Sequence, residues 1–320
     1  MSRRLLVSSA GAGSAHAVIA AARRVYGTDV HIVGMDINPA HLIAATPLLD
    51  RVHRVPRSDD PGFRDAVLDI VRAERIDRYV ALLDHERSLG ARWEADGDLG
   101  PTTVSAPGPD AAAACGDKLA TARWRTPHGL DTPDTRLARD WPADQLPAFT
   151  KPRQGIGSIG ARLIETHDEL AGIRDDDRSV VQTLCAPPEV TVDVFRSSDG
   201  RVVAAVCRER LETKAGVCTK ARVFHDDALQ RIARVIGDGL DLRGAFCFQA
   251  MRDAADEHWL VTDVNARPGA GSPMSAAAGF DTVGAMLVAA FDGRVASDLL
   301  ATVAPECYVT RFYDHVVQRR

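Results

Sequence analysis

The residues from Lys151 to Gly160, Lys-Pro-Arg-Gln-Gly-Ile-Gly-Ser-Ile-Gly, spell a GxGxxG where a dinucleotide-binding fold would not carry one. Such a fingerprint must follow a strand and open a helix, because the helix N-terminus receives the pyrophosphate. Here Ala148 to Pro152 reads as a strand, and Ala161-Arg162-Leu163-Ile164-Glu165 reads as another. The glycines are therefore expected to form a hairpin loop over phosphates, with Lys151 at its base.

The texture of the chain changes around this loop. In the first hundred residues strands at Arg4 to Ser8, Val30 to Met35 and Tyr79 to Leu83 alternate with helices at Ala15 to Tyr26 and Phe63 to Glu74. That alternation implies a parallel sheet covered on both faces. The Gly- and Pro-rich stretch Asp96 to Pro109 is a boundary, and Cys115 to Trp124 reads as a helix that leaves through the turn-rich Pro127 to Pro133. Beyond Phe149 strands dominate, at Ser179 to Leu184, Val190 to Arg196 and Val202 to Cys207. A helix at Ala228 to Leu240 precedes two more strands, Ala245 to Met251 and Trp259 to Val264, joined by the polar turn Asp253 to His258. The expected fold class is an α/β unit followed by an α+β unit.

Composition excludes several classes. A formal net charge of −5 supplies no global basic field for nucleic acid or an anionic membrane. The six cysteines form no CxxC pair, which argues against a zinc site or a disulfide framework and for a reducing cytoplasm. The apolar part of Arg3-Arg4-Leu5-Leu6-Val7 is too short for a secretory leader, because Ser8, Ser9 and Gly11 interrupt it. No segment reaches a membrane span, since Ala276 to Phe291 is broken by Gly279, Asp281 and Gly284.

Three groups of residues can carry chemistry. Gly11-Ala12-Gly13-Ser14-Ala15-His16 lies between a strand and a helix, with Asp36 where a ribose-binding acid would stand, but His16 replaces the third glycine. Tight-turn packing accounts for Gly11 and Gly13 as well as a cofactor does. Near the end, strand alternation puts Asp263, Asn265 and Arg267 on one side. If the hairpin pairs about Asp256, Gln249 stands opposite Asp263 while Phe246 and Phe248 face the core. Gln249, Asp263 and Asn265 then offer oxygen ligands suited to Mg²⁺; a solvated strand face is the alternative. Lys118 and Lys151 complete a phosphate-binding inventory outside any Walker A motif.

In order and spacing these motifs resemble the ATP-grasp superfamily from about Ala111 to Gly293, in its carbamoyl-phosphate-synthase-like and biotin-carboxylase-like branch of carboxylate–amine ligases. The resemblance rests on Asp117-Lys118, Gly129-Leu130-Asp131-Thr132-Pro133, Lys151-Pro152 with Gly155, Gly157, Ser158 and Gly160, and Val181-Gln182-Thr183-Leu184. It continues through Glu189 to Val194 and ends at Gln249, Asp263, Asn265, Arg267 and Pro268. It implies a Rossmann-like pre-ATP-grasp domain at 1–107 and an ATP-grasp fold of two α+β subdomains at 108–320, with the lid at about 148–185. It also implies ATP as cofactor with Mg²⁺, usually two ions, or Mn²⁺. Lys118 and Lys151 would contact the α- and β-phosphates, and Gly155 to Gly160 would close over them. The backbone of Gln182, Thr183 and Leu184 would face adenine, with Glu189 on the ribose. Gln249, Asp263 and Asn265 would hold the metals, and Arg267 would act with Lys151 on the transferred phosphoryl group. The family more often has Glu at the position of Asp263, and a glycine where Pro187-Pro188 precede Glu189.

The activity implied is ADP-forming ligation of a small carboxylic acid to an amine through an acyl phosphate, with a homodimer as the expected assembly and no nucleic-acid or membrane partner. Arg208 and Arg210 suit a substrate carboxylate or phosphate; a solvated charged edge explains them equally. Glu86 is a further substrate candidate, since Asp84-His85-Glu86 follows a strand where α/β folds collect ligands, although Asp84 also suits a helix N-cap. A nicotinamide-dependent oxidoreductase using Gly11, Gly13 and Asp36, and a nucleotide-binding regulator without turnover, stay open.

Overall fold

A computed structural model of the chain describes residues 3–155, 160–174, 177–201, 203–214, 216–255, 257–312 and 314–318. The N-terminal strands β1 (Arg3–Val7), β2 (Val30–Asp36), β3 (Arg51–Arg54), β4 (Arg78–Val80) and β5 (Thr103–Val104) form a parallel sheet in the order β3-β2-β1-β4-β5. Helices α1 (Gly13–Tyr26), α2 (Phe63–Ala73) and α3 (Asp84–Ala95) connect them. Burial on both faces explains the unbroken apolar run of β1: Leu5 and Val7 pack with Val18 and Ile19 of α1, while Leu6 packs with Val67 and Leu68 of α2.

The strand expected from Tyr79 to Leu83 ends at Val80. The backbone N–H of Leu82 donates to Ser8 Oγ (3.0 Å) and that of Leu83 to a Glu86 carboxylate oxygen (3.3 Å), so the chain leaves the ladder and turns into α3. Leu83, not Asp84, is the N-cap residue. The single helix expected over Cys115 to Trp124 is two, α4 (Pro109–Gly116) and α5 (Lys118–Arg125). Asp117 separates them, its carboxylate accepting from the N–H groups of Leu119 and Ala120 as an N-cap.

A smaller antiparallel sheet follows, from β6 (Thr135–Leu137), β7 (Ala148–Pro152), β8 (Arg162–Ile164) and, after helix α6 (His167–Arg174), β9 (Ser179–Gln182), in the order β6-β9-β7-β8. The larger antiparallel sheet contains β10 (Ala186–Arg196), β11 (Val203–Lys214), β12 (Val217–Phe224), β13 (Gly244–Arg252), β14 (Trp259–Asn265) and β15 (Cys307–Thr310), ordered β14-β13-β10-β11-β12-β15. Helix α7 (Asp227–Gly239) covers one face, where Val190, Val192, Val194, Phe246 and Phe248 meet Leu229, Ala233 and Ile236. Two helices lie between β14 and β15: α8 (Ser272–Ala277) and α9 (Thr282–Asp292). The charged stretch after Cys207 is strand, since β11 continues to Lys214.

Helix α9 packs between helix α1 of the N-terminal unit and strands β10 and β13 of the larger sheet. Asp281 caps it by accepting from Gly284 N–H (2.9 Å) and pairs with Arg24 of α1, while Val283, Met286 and Leu287 join the cluster of Leu5, Val7, Val18 and Ile19. Leu287→Ala should therefore destabilise the N-terminal sheet by about 2–5 kcal/mol, the usual cost of emptying a buried leucine site. Urea denaturation combined with hydrogen exchange at the β1 and β2 amides checks this; unchanged exchange there would show that α9 does not hold the sheet.

Candidate active site

The polar face of the larger sheet floors a cavity of about 640 Å³. Cross-strand pairing runs Asp263 to Gln249 to Thr191 to Arg208 across β14, β13, β10 and β11. Paired residues project from the same face, so these four make one row. The next row on that face is Asn265, Cys247 and Asp193. The intervening Val192, Phe248 and Val264 fill the apolar core behind. The hairpin thus pairs Gln249 with Asp263 and turns Phe246 and Phe248 inward, as counting about its turn predicts.

A bulge lies within that hairpin. Gln249 pairs with Asp263 and Ala250 with Val261, which leaves Thr262 without a ladder partner. Its carbonyl accepts instead from Lys151 Nζ at 3.0 Å. Burial pushes the Lys151 ammonium down to about 8, against the opposing pull of Asp263. Lys118 starts α5: its N–H donates to Arg153 O (3.0 Å) and its Nζ to Gly155 O (3.2 Å). Asp117 fixes this arrangement, because beyond capping α5 it pairs with Arg153 (2.6 Å) and so ties the helix start to the exit of β7. Gly155 lines the cavity and has φ 138°, a conformation glycine adopts without strain. Gly160 is exposed and does not line it, and Gly157 and Ser158 lie outside the described residues.

Gln182, Thr183, Leu184 and Glu189 line the same cavity. The Gln182 side chain turns away to Thr135 Oγ1 (2.7 Å), and Glu189 pairs with Arg210. Arg208 lines the cavity, is 2% exposed, and pairs through Nε with Asp193 Oδ2 at 3.3 Å. Arg267 lines it as well. Five cationic side chains (Lys118, Lys151, Arg208, Arg210 and Arg267) and two carboxylates (Glu189 and Asp263) face this space. Within a chain of net charge −5, that local surplus favours a polyanion.

Oxygen donors collect at the Asp263 end. Asn265 turns its Nδ2 toward Asp263 Oδ2 (3.4 Å), leaving its amide oxygen to act with that of Gln249 and the Asp263 carboxylate. Among the described residues no three His, Cys, Asp or Glu side chains are grouped to hold a metal. One carboxylate and two amides instead fit Mg²⁺ that completes its shell with water and phosphate oxygens.

Glu86 is not part of this site. It is 5% exposed in the N-terminal unit, accepts from Ser8 Oγ (2.6 Å) and from Ser9 Oγ, and burial raises the pKa of its carboxyl. Asp36 is also engaged locally, accepting from the N–H groups of Gly11 and Asn38, each at 2.8 Å. Two buried guanidiniums had no distinguishing mark in the sequence. Arg125 lies close enough to Asp263 for their charges to interact, and burial pushes its pKa down to about 10. Arg87 on α3, 2% exposed, pairs with Asp84 (2.7 Å). In each, Nε and Nη1 have no hydrogen-bond partner among the described residues.

Residues 176–310 match the family model described as ATP-grasp in the biosynthetic pathway with Ter operon. No curated protein matches the chain in sequence. Among solved structures, N5-carboxyaminoimidazole ribonucleotide synthetase from Thermotoga maritima is similar with TM-score 0.69 and 16% identity, covering 92% of this chain and 77% of that one. The biotin carboxylase domain dimer of Hydrogenobacter thermophilus 2-oxoglutarate carboxylase, solved with MgADP, ADP and bicarbonate, gives TM-score 0.75 and 13% identity over 92% of this chain and 72% of that one. An L-amino acid ligase from Bacillus licheniformis gives TM-score 0.71 and 16% identity over 92% and 77%. An ATP-grasp family model thus matches residues 176–310 in sequence, and about nine-tenths of the chain shares its fold with these solved structures.

Proposed function

We propose that the chain is an ATP-dependent ligase that activates a carboxylate as an acyl phosphate and couples it to an amine, releasing ADP and phosphate. The observation that carries this reading is the convergence on one cavity of Lys118 and Lys151 with Gln249, Asp263 and Asn265. Residues 1–107 serve as the pre-ATP-grasp domain and 108–320 as the ATP-grasp domain, with 148–185 as its lid. A homodimer of this chain belongs to the same reading, as does a pair of Mg²⁺ ions, with Mn²⁺ as a substitute.

A free carboxylate acylates poorly because its leaving group would be oxide. Phosphorylation replaces that group with phosphate, and catalysis of the transfer is largely positioning and charge neutralisation. Lys118 and Lys151 bind the α- and β-phosphates, and the glycine hairpin with Gly155, Gly157, Ser158 and Gly160 excludes water above them. The backbone from Gln182 to Leu184 holds adenine, and Glu189, oriented by Arg210, receives the ribose. Gln249, Asp263 and Asn265 hold the metal, which supplies Lewis-acid neutralisation of phosphate charge. Arg267 steadies the transferred phosphoryl group. The amine then attacks the acyl carbon, expels phosphate and loses a proton to give the amide. The nicotinamide alternative loses support, because Asp36 already accepts from Gly11 and Asn38.

Purified protein incubated with ATP, Mg²⁺, a panel of carboxylic acids and hydroxylamine should release phosphate and form a hydroxamate; AMP and pyrophosphate would refute the acyl-phosphate route. Asp263→Ala should lower turnover about 100-fold or more, the scale on which removal of one preorganised electrostatic group acts, and a variant of unchanged rate would remove this metal assignment. Lys151 should lose its proton as pH rises through about 8. The neutral amine no longer offsets phosphate charge, so apparent affinity for ATP should fall through that range, and Lys151→Arg should move the falling limb upward. A flat pH profile of ATP binding would exclude the titration.

A further inference from the structure

The far end of the Asp263–Gln249–Thr191–Arg208 row has no role in the phosphoryl transfer just described. Asp263 and Arg208 are three strand spacings apart, about 14 Å across the sheet. Arg208 therefore faces a different part of the ligand from the metal set. Its guanidinium lies flat against Gly271: a Cβ there would come within 2.2 Å of Nη2 and 2.4 Å of Nη1, so only glycine fits beneath it.

A second guanidinium approaches from outside the expected site. Arg311, just past β15, is anchored by its N–H to Thr219 O (2.8 Å) and by Nη2 to Ala270 O (2.6 Å). Ala270 lines the cavity between Gly269 and Gly271. Arg208 packs on Gly271 while Arg311 donates to the carbonyl of the preceding Ala270, so the two guanidiniums flank one short segment, and burial together with the Arg208 charge lowers the Arg311 pKa. Asp193, 1% exposed, pairs with Arg208 and also accepts from Ser275 Oγ (2.6 Å). One carboxylate thus offsets two neighbouring guanidiniums, and Arg267 adds a further positive charge to the cavity that Arg208 lines. Buried cations brought together without enough counter-charge are unfavourable unless a ligand supplies it.

We infer that Arg208 and Arg311 form a second anion subsite, which takes a carboxylate of the substrates other than the one being activated. This rests on the ligase reading. The group is either a second carboxylate on the acid or the carboxylate of an amino-acid nucleophile; both present the same planar anion to paired guanidiniums. Arg311 is thereby a specificity-determining residue contributed by the segment beyond the larger sheet.

The test uses the full chain with saturating MgADP and calorimetry. Glutarate is compared with pentanoate, and L-alanine with L-alaninamide, so that each pair differs by one carboxylate. At least one carboxylate-bearing probe should bind about tenfold more tightly than its control, the value of one charge-assisted contact, and the pair that responds identifies the source of the anion. Arg311→Gln should abolish that preference while leaving MgADP affinity within about twofold, a change too small to reflect a lost contact. Arg208→Lys should weaken it. No preference in the parent protein, or a preference retained in Arg311→Gln, overturns the subsite. Failure to bind MgADP at all would instead refute the ligase reading on which it rests.

Discussion

Alternation along four neighbouring strands determines where chemistry can happen in this molecule. Val190, Val192 and Val194 on β10, with Phe246 and Phe248 on β13, must all face α7 to be buried together. A one-residue slip of either strand would expose that whole set and bury its polar partners. Locking the apolar face locks the other. Gln249, Asp263, Thr191 and Arg208 stand in a row because the residues between them cannot leave the core. The phosphate end and the proposed anion subsite are thus fixed by one register, and their separation is set by strand spacing rather than by flexible side chains.

The site gathers charge that the protein alone does not neutralise. Lys151 is held with a weakened grip on its proton, and Arg125 and Arg87 keep unmet donors in the interior. In a stable fold such groups are a burden unless something binds beside them. A polyanion offsets part of this burden, so nucleotide binding should contribute to folding stability as well as to catalysis. Thr262 shows the same economy at small scale: the bulge that interrupts the ladder frees the carbonyl that positions Lys151.

How much of this could be read in the sequence depended on the range over which each feature is determined. The pairing of Gln249 with Asp263 follows from counting outward from a short polar turn, and the structure has that pairing. The glycine loop's flanking strands were legible for the same reason, as β7 and β8 pair with each other. Neighbours separated by long stretches were not legible. Arg208 stands in the row only through β10 and β11, and the charged residues around it also suit a solvated edge. Arg311 enters from beyond β15, with no local pattern to mark it. The position of Glu86 after a parallel strand suggests a ligand site, whereas Ser8, Ser9 and the Leu83 amide engage its carboxylate in the structure, contacts that no local sequence pattern marks. Asp117 split a helix that periodicity alone had joined, since its side chain offers the backbone a cap.

The docking of α9 against α1 has a consequence for biosynthesis. Translation delivers the chain from its N-terminus at roughly 5–20 residues per second. The strands of the parallel sheet and α1 emerge well before Val283, Met286 and Leu287, the side chains that complete the apolar cluster on the α1 side. During that interval the nascent first unit carries an apolar surface with no partner of its own. It must be shielded by chaperones or stay loosely packed until the polypeptide returns to it.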